Sequence, residues 1–580
     1  MSPSRHSPIA FWGLVASVAI ACLLAGDVPN GMTQEGSEFP ESHQFFLGGS
    51  SYAAYFGMNE NATASAASLV FGNRAKPPTV GSNTQVNDPQ SFFPAGLIGR
   101  SETTIASDPS GRFLVAGWND ADGFCGPPFS APCTPPAVPG LSGFGYSRDG
   151  GSNWTDLGTP SVVVTGAGTK VTRGDPWLDT GGPGNKVYYF ANLAVDTTTS
   201  NPGFGGMTVH RGEFNNQVFS VNNAVFIPQP NPAPADFLDK EALAAGKSGF
   251  NKDHVAISVT NFIEVAAIPF FGFGQIEAYI STNRASSFPT RTIVQPDETI
   301  SVPMNEGIVN QGSAPAYGPN GELYITWERG FLSPFFGQGT AGVFHHIAFA
   351  ASTDGGLTFG PRVTVSPISP PGLFPPGGYN RSNYNDFPRI AVAHSGSDRG
   401  RVYVSYQDSR IANGGPQGAA PLGPEDAPCA PFDCGHFDAD VYIRHSDDGG
   451  ATWSAPVLVV GGGDGLIQFW PTVTVQPDGD VVVTYNESVE TTVPDFLDSD
   501  GLGTSLVDIF TATSTNGGAS FGAPLRITSV TTDWGATFSN IIPNFGDYIF
   551  TVSTGNKDHV TWADGRNGVP DVFYSSVNTN

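Results

Sequence analysis

Basic residues are scarce in this chain: 26 lysines and arginines stand against 52 aspartates and glutamates, and the formal net charge is -26. A field of this sign repels nucleic acid and anionic membrane surfaces, so we expect neither as a partner. An anionic substrate would need a local cluster of arginines to offset that field.

The chain also lacks the short motifs of several enzyme classes. It has no nucleophile elbow, phosphate loop or dinucleotide fingerprint in the required context, and its histidines show no metal-ligand spacing. We therefore predict that no cofactor is required. The acidic loops 120–123 and 498–503 are candidates for a structural calcium ion, although neither has the full helix-loop-helix calcium pattern.

A long apolar run occupies the N-terminus, from Ile9 to Gly26, behind Arg5 and His6. This pattern predicts a secretory signal over residues 1–26. The run is also at the lower limit for a spanning helix, so an uncleaved N-terminal anchor is the alternative. Residues 27–80 carry no repeat and are predicted to be a flexible segment. We expect the protein to be secreted or held in the cell envelope.

Cysteines are few, five in all, and four of them form two close pairs. Cys125 and Cys133 make the first pair, and Cys429 and Cys434 make the second. In an exported chain this spacing predicts two local disulfides that staple loops, whereas a zinc site would require the two pairs to converge.

Repeats dominate the remainder of the chain. The turn SRDGGSNW at 147–154 recurs as STDGGLTF at 352–359, SDDGGATW at 446–453 and STNGGASF at 514–521, with an eroded copy, STNRASSF, at 281–288. A second signature, a hydrophobic strand that ends in polar residues, recurs at Asp120, Asn192, Asn261, Arg329, Asp408, Glu487 and Asp564. Each unit opens with a short apolar strand before this signature, a third strand leads into the turn, and a fourth follows it. Four strands per unit predict an all-β β-propeller of four-stranded blades over residues 81–580.

Seven units predict seven blades. Six blades are the alternative, because VHRGEFNNQVFS replaces the turn in unit 2. The last unit stops at YSSVNTN and lacks a fourth strand, while SNTQVNDP at 82–89 has the character of that strand. We therefore expect an N-terminal strand to close the ring by pairing with the final blade.

The eight-residue turn resembles the Asp box, or BNR repeat, of the sialidase superfamily, and the resemblance extends over roughly residues 82–580. It implies an exo-alpha-sialidase-like, secreted β-propeller in which each turn lies between the third and fourth strands, on the face away from the active site. The turn residues Asp149, Asp354, Asp448 and Asn516 are then structural, not catalytic.

If these turns mark the lower face, the polar pairs that end each second strand begin loops of the upper face. The catalytic candidates there are Glu328, Asp408, Asp120 and Asp564, and the substrate-binding candidates are Arg329, Arg410, Arg566 and Arg389. The starts of the first strands add Arg100, Glu102, Asp175, Asp239, Lys240, Asp386 and Asp547. The alternative is that such carboxylates cap strand ends. Tyr406 and Tyr485 share the repeat position of Trp118, Trp327 and Trp562, which favours packing.

Sialidase-like enzymes hold a carboxylate with three arginines, the first in a Phe/Tyr-Arg-Ile-Pro motif. GRSETTIASD at 99–108 places Ser101 where that arginine would be and has no Ile-Pro after it. The missing motif counts against a true sialidase, whereas the clustered carboxylates and arginines of the upper loops are consistent with a glycosidase that acts on extracellular glycans through two carboxylates. The alternative is a non-catalytic propeller that binds a carbohydrate or a cell-surface protein. We expect a monomer in either case.

Overall fold

The computed structural model describes residues 78–579, apart from 90–96, 123–139, 166–167, 197–203, 231–236, 248, 265–271, 302–305, 333–342, 369–375, 381–384, 410–438, 463, 465 and 489–504. The predicted signal or anchor, nearly all of 27–80, both cysteine pairs, Arg410 and the acidic loop 498–503 lie outside these residues. Within them, helix is limited to the 3₁₀ turns Pro183–Asn185 and Gly249–Asn251. No helix of the described part is long and apolar enough to cross a membrane.

Seven antiparallel sheets follow one another along the chain, so seven blades are confirmed and the six-bladed alternative is wrong. Two short strands come first, β1 (Thr79–Val80) and β2 (Thr84–Gln85). Blade 1 contains β3 (Arg100–Ser107), β4 (Leu114–Asp120), β5 (Ser142–Ser147) and β6 (Thr155–Asp156). Blade 2 contains β9 (Trp177–Gly181), β10 (Val187–Asp196), β11 (Phe204–Asn215) and β12 (Val218–Pro228), and the hairpin of β7 (Val163–Thr165) and β8 (Gly168–Thr172) extends it.

The next blades repeat this meander. Blade 3 contains β13 (Phe237–Ala245), β14 (Val255–Glu264), β15 (Gly272–Ser281) and β16 (Thr290–Gln295). Blade 4 contains β17 (Glu298–Ser301), β18 (Glu306–Tyr317), β19 (Leu323–Leu332), β20 (Val343–Ser352) and β21 (Val363–Pro367). Blade 5 contains β22 (Arg389–Val392), β23 (Val402–Asp408), β24 (Asp440–Ser446) and β25 (Val457–Val460). Blade 6 contains β26 (Gln468–Val475), β27 (Val481–Ser488), β28 (Leu506–Ser514), β29 (Leu525–Arg526) and β30 (Thr532–Asp533).

Blade 7 is assembled from both ends of the chain. It contains β31 (Phe550–Thr554), β32 (Lys557–Asp564) and β33 (Asp571–Asn578), and its outer edge is formed by β1 and β2. Thr84 pairs with Tyr574 and Gln85 with Phe573, in antiparallel register. The predicted closure of the ring by an N-terminal strand is confirmed.

Unit 2 is a full blade because a tighter turn replaces the eight-residue one. Strands β11 and β12 are joined through Asn216 and Gln217, whose φ angles are 50° and 68°. Two consecutive left-handed residues form the hairpin turn whose twist matches that of its strands. The repeated motif is therefore lost from the sequence of this unit while its four strands remain.

Hydrophobic clusters lie between all seven pairs of neighbouring blades, including blades 7 and 1. The tryptophans that end the second strands, Trp118, Trp327 and Trp562, are fully buried in three of these clusters. Tyr406 and Tyr485 are likewise fully buried in the clusters between blades 4 and 5 and between blades 5 and 6. Each such side chain contributes about 1.5–3 kcal/mol through its burial, so these positions hold the ring together.

The repeated turns join the third and fourth strands of their blades and share one hydrogen-bond network. In blade 4, Ser352 Oγ donates to Asp354 Oδ1 at 2.7 Å and accepts the N–H of Gly356 at 2.8 Å. Thr358 donates its N–H and its hydroxyl to the two oxygens of Asp354, at 2.9 and 2.6 Å. These donors lower the pKa of Asp354 to about 2. The carboxylate therefore acts as a brace within the turn.

The eroded turn of blade 3 keeps that network. Ser281 Oγ donates to Asn283 Oδ1 at 2.9 Å and accepts the N–H of Ala285 at 3.0 Å. Arg284 and Ala285 stand where the other copies have two glycines, yet their φ angles are 57° and 54°. Side chains disfavour this region, so blade 3 carries local strain that the other copies avoid.

Candidate active site

Residues with a left-handed backbone conformation (positive φ) recur near the start of the innermost strand of a blade, at the upper end of the central channel. In six of the seven blades this position has a φ between 50° and 88°, and its occupants are Glu102, Asp175, Lys240, Gly312, Trp470 and Gly546. In blades 1, 3, 4 and 6 the position coincides with a shift of strand register. Left-handed non-glycine residues cost about 1–3 kcal/mol each and cluster at functional sites, which makes this ring of turns the first place to look for one.

Lys240 lies at the centre of this ring. Its ammonium nitrogen is 2.9 Å from Glu102 Oε1, 2.9 Å from Asp175 Oδ2 and 2.7 Å from Asp547 Oδ2. These carboxylates come from blade 1 and from the segments that lead into the first strands of blades 2 and 7. The lysine is 5% exposed, and the three carboxylates raise its pKa well above the usual value despite the cost of burial. Lys240 therefore stays protonated at neutral pH.

Two amide side chains link the turns of neighbouring blades. Asn119 donates from Nδ2 to Glu102 Oε2 at 3.1 Å, and its Oδ1 accepts the N–H of Asp175 at 2.7 Å. Gln407 does the same between blades 5 and 6, donating to Asp386 and accepting the N–H of Trp470 at 2.8 Å. Both amides occupy the penultimate residue of the repeated second-strand signature.

Glu328 occupies the corresponding position in blade 4, but it does not make that link. Among the described residues, neither of its carboxylate oxygens has a hydrogen-bond partner, and the residue is fully buried. Burial raises the pKa of Glu328 well above its usual value, the charge of Asp386 adds to this rise, and Arg389 opposes it. Burial therefore favours the protonated form of Glu328, in a site that also contains charged groups.

Further acidic groups surround Lys240. Burial raises the pKa of Glu102 well above the usual value, and Asp175 adds to the rise against the opposing charge of Lys240. Burial also raises the pKa of Asp239 to about 7 and that of Glu241 well above its usual range. The cluster thus places carboxyl groups whose protonated form is favoured by burial beside carboxylates that are ion-paired with Lys240, a combination that suits acid-base chemistry.

Arg389 lies between two aromatic rings beside Glu328. Its guanidinium carbon is 4.9 Å from the centre of the Trp177 ring and 5.1 Å from that of Tyr548. Tyr548 donates its hydroxyl to the carbonyl of Pro176 at 3.0 Å. Burial lowers the pKa of Arg389 to about 10, so the guanidinium remains charged at neutral pH. Trp177 and Arg389 also line a 370 Å³ cavity at the opposite end of the central channel, where the first strands end.

The structure separates the other predicted catalytic residues from this cluster. Asp120 accepts hydrogen bonds from Trp118 Nε1 at 3.0 Å and Arg100 Nε at 3.1 Å. Asp564 accepts the corresponding bond from Trp562 Nε1 at 2.7 Å and is ion-paired with Arg566 at 2.6 Å. Both carboxylates therefore tie strand ends within their own blades, which is the capping role of the alternative interpretation.

Asp408 and two of the predicted substrate-binding arginines, Arg329 and Arg566, also make their contacts outside the Lys240 cluster. Asp408 is buried opposite Asp440 at the end of β23. Arg329 is ion-paired with Glu298 at 3.0 Å, and Arg566 is ion-paired with Asp564 and covers the ring of Phe573 at 4.2 Å. Of the predicted site residues that the structure describes, it thus brings together Glu328 and Arg389.

Sequence reasoning did not single out Lys240 as the centre of this cluster. It named Glu102, Asp175 and Asp547 among the candidate carboxylates, and Lys240 among the residues that begin first strands, but it did not predict that they meet. The available signal was that all of them begin first strands of the repeat. Tyr548 and Glu241 went unmentioned, because neither belongs to a repeated pattern.

A metal does not fit the described part of this site. The ammonium of Lys240 already occupies the point where three carboxylates converge. Within the described residues, no group of three or more His, Cys, Asp or Glu side chains has an arrangement that could hold a metal ion. In the acidic loop 120–123, Asp120 and Asp122 both pair with Arg100.

Comparison with known proteins adds information on the fold alone. No family model matches the chain, and no curated protein matches it. Among solved structures, the alpha-L-arabinofuranosidase Arb93A of Fusarium graminearum is 12% identical with a TM-score of 0.39, over 78% of this chain and 99% of that chain. A Dyadobacter fermentans protein of unknown function is 14% identical with a TM-score of 0.31, over 59% and 95%. The Trypanosoma rangeli sialidase is 9% identical with a TM-score of 0.33, over 73% and 56%.

The strand pairing itself establishes a seven-bladed β-propeller: seven meander blades, ring closure by both chain ends, and repeated turns between third and fourth strands. The activity of such a fold depends on its site and not on its architecture.

Proposed function

We propose that this protein is a glycoside hydrolase that acts on extracellular glycans, with its active site at the upper end of the central channel. The observation that supports this most is Glu328, a buried carboxyl group without a hydrogen-bond partner among the described residues, close enough to Asp547 for the two charges to interact. Unsatisfied buried carboxyl groups destabilise a fold and are retained where they act chemically.

Glycoside hydrolysis requires one protonated and one ionised carboxyl group. Glu328 supplies the first: it gives its proton to the glycosidic oxygen as the bond to the anomeric carbon breaks. Asp547 supplies the second, because Lys240 stabilises its negative charge at 2.7 Å and Tyr379 donates to its other oxygen at 3.0 Å. Asp547 attacks the anomeric carbon, or it takes a proton from the water that does so.

The test is hydrolysis of a panel of fluorogenic glycosides, including a sialoside, by the full-length chain and its Glu328→Gln variant. We expect kcat/KM to fall about 100-fold or more in the variant while the fold melts at an unchanged or higher temperature. For substrates with a strongly acidic leaving group, the fall in kcat/KM should be smaller, because such a group departs without being protonated. Asp354→Asn, at the opposite face, is the matched control and should keep full activity.

Full activity in a folded Glu328→Gln variant would remove Glu328 from the mechanism. Absence of turnover across the panel would remove the enzyme proposal. A specific observation favours a binding role in that case: Lys240 and its three partners are each at most 5% exposed, as in a structural clamp. Glycan and cell-surface protein arrays would then identify the partner.

A further inference from the structure

Two buried arginines at the upper end of the propeller, Arg100 and Arg329, are already engaged by carboxylates of the protein. Arg100 is ion-paired with Asp120 and Asp571, at 3.1 and 3.2 Å. Arg329 is paired with Glu298 through two hydrogen bonds of 3.0 Å. Each of these pairings uses the planar donor edge that would otherwise bind a carboxylate of the substrate.

The two cations within the site, Lys240 and Arg389, also have contacts within the protein. The ammonium of Lys240 lies within 2.9 Å of three carboxylates. The guanidinium of Arg389 is covered by the rings of Trp177 and Tyr548, and its Nη1 donates to the carbonyl of Pro388 at 3.3 Å. The ammonium of Lys240 does not offer the bidentate clamp that an acidic sugar requires, and one donor of Arg389 is already used.

Acidic groups outnumber these cations. Seven acidic side chains interact electrostatically in the cluster: Glu102, Asp175, Asp239, Glu241, Glu328, Asp386 and Asp547. A carboxylate brought into this site would lose its hydration and would face ionised carboxylates at short range. Both effects oppose its binding.

We propose that the site accepts a sugar without a negative charge and discriminates against uronic and sialic acids. This inference rests on the proposed glycoside hydrolase function and names its substrate class. The uncharged hydroxyl groups of such a sugar can donate hydrogen bonds to the surrounding carboxylates, which an acidic group cannot do.

The experiment compares sugars that differ only in the oxidation state of one carbon. Methylumbelliferyl glucoside and glucuronide form one pair, galactoside and galacturonide form a second, and a sialoside is added. For every pair that is hydrolysed, we expect kcat/KM to be about tenfold or more higher for the neutral member. Equal or faster hydrolysis of the acidic member, or turnover of the sialoside alone, would overturn the inference and leave the hydrolase function intact.

A charge variant tests the electrostatic cause. Asp386→Asn removes one acidic group whose charge acts on Glu328 and keeps the shape of the side chain, so the neutral-to-acidic ratio of kcat/KM should fall several-fold. A purely structural effect would lower both rates together and leave the ratio unchanged, which would contradict the inference. Asp354→Asn, at the lower face, should not change the ratio.

Failure of the hydrolase function is distinguishable. If no glycoside is hydrolysed, the same neutral and uronic oligosaccharides are titrated into the protein by calorimetry. Binding of the neutral members alone supports the inference for a binding site, whereas binding of the uronic members, or of neither class, overturns it.

Discussion

The ammonium of Lys240 lies 2.7 Å from Oδ2 of Asp547 and so joins the third blade to the segment leading into the seventh. These blades are not neighbours in the ring, so the contact spans the central channel. Further ion pairs of the same ammonium reach Glu102 and Asp175. One side chain therefore connects four of the seven repeats.

Lys240→Met should destabilise the fold by about 3–5 kcal/mol, because it leaves three buried carboxylates without their cation. The raised pKa of Lys240 means that its contribution is fully present at neutral pH and is lost only as pH rises through that pKa. The loss in the variant should be smaller at pH 5 than at pH 8, since acid neutralises the carboxylates. Thermal melts across pH measure this.

The double variant Lys240→Met/Glu102→Gln provides the control. Removing one of the carboxylates should recover part of the lost stability. If the double variant melts below the single one, repulsion among the carboxylates is not the cause.

Glu328→Gln should raise the melting temperature at pH 8 and have little effect at pH 4.5. The pKa of Glu328 is raised in the folded protein, so the folded state favours its protonated form. The wild-type carboxyl group therefore costs stability as pH rises above its unfolded value of about 4.3, a cost that glutamine does not have. An equal shift at both pH values would contradict the burial of an ionisable group.

Asp558 should make the stability of blade 7 depend on pH. Burial raises the pKa of this carboxyl group to about 6, although Ser553 and Gln476 donate hydrogen bonds to it. Because the pKa is raised, its ionisation lowers the free energy of unfolding between about pH 4 and 7, by up to about 3 kcal/mol. In Asp558→Asn this fall should be smaller, as measured by urea unfolding at pH 4.5 and 7.5; an unchanged fall would exclude Asp558 as its source.

Asp354→Ala should lower stability by about 1–2 kcal/mol without changing ligand binding or activity, since it removes the acceptor of the turn's hydrogen bonds. The lowered pKa of Asp354 means that its contribution is present above about pH 4 and is lost as pH falls toward 2. Asp354→Asn is the matched control, because Asn516 makes the same bonds in blade 6. Loss of activity at an unchanged melting temperature would overturn the structural assignment.

Arg284→Gly should stabilise the protein by about 0.5–1 kcal/mol, because glycine removes the cost of a left-handed φ of 57°. The ion pair with Asp253 that it loses is solvent-exposed and contributes little. The reciprocal control is Gly449→Ala in blade 5, where φ is 72° and a methyl group would meet only an ordinary contact at 3.5 Å. That variant should be destabilised by a similar amount.

Sequence reasoning succeeded where the chain repeats itself and failed where it does not. The period of the second-strand signature predicted seven blades, and the incomplete last unit predicted closure by the N-terminal strand. The same period aligns Glu328 with Gln407, not with Asp408, and adjacent residues of a strand point to opposite faces. Glu328 therefore lies in the cluster, while Asp120 and Asp564 bind tryptophans of their own blades.

The convergence on Lys240 could not be read from the sequence. Its partners belong to three other units of the repeat. They meet because the backbone adopts left-handed turns at Glu102 and Asp175, and the sequence does not indicate such turns there because neither residue is glycine. Only the geometry of the closed ring brings these residues within reach of one ammonium.

The shared final blade has a consequence for biosynthesis. Strands β1 and β2 are made first, but they pair with β33, which is made last. The ring therefore cannot close until the C-terminal strand has been synthesised. Until then, the chain that emerges from a ribosome or a translocon is an open row of blades. A recombinant chain must for the same reason begin no later than residue 78, because a later start shortens or removes the strands that close the ring.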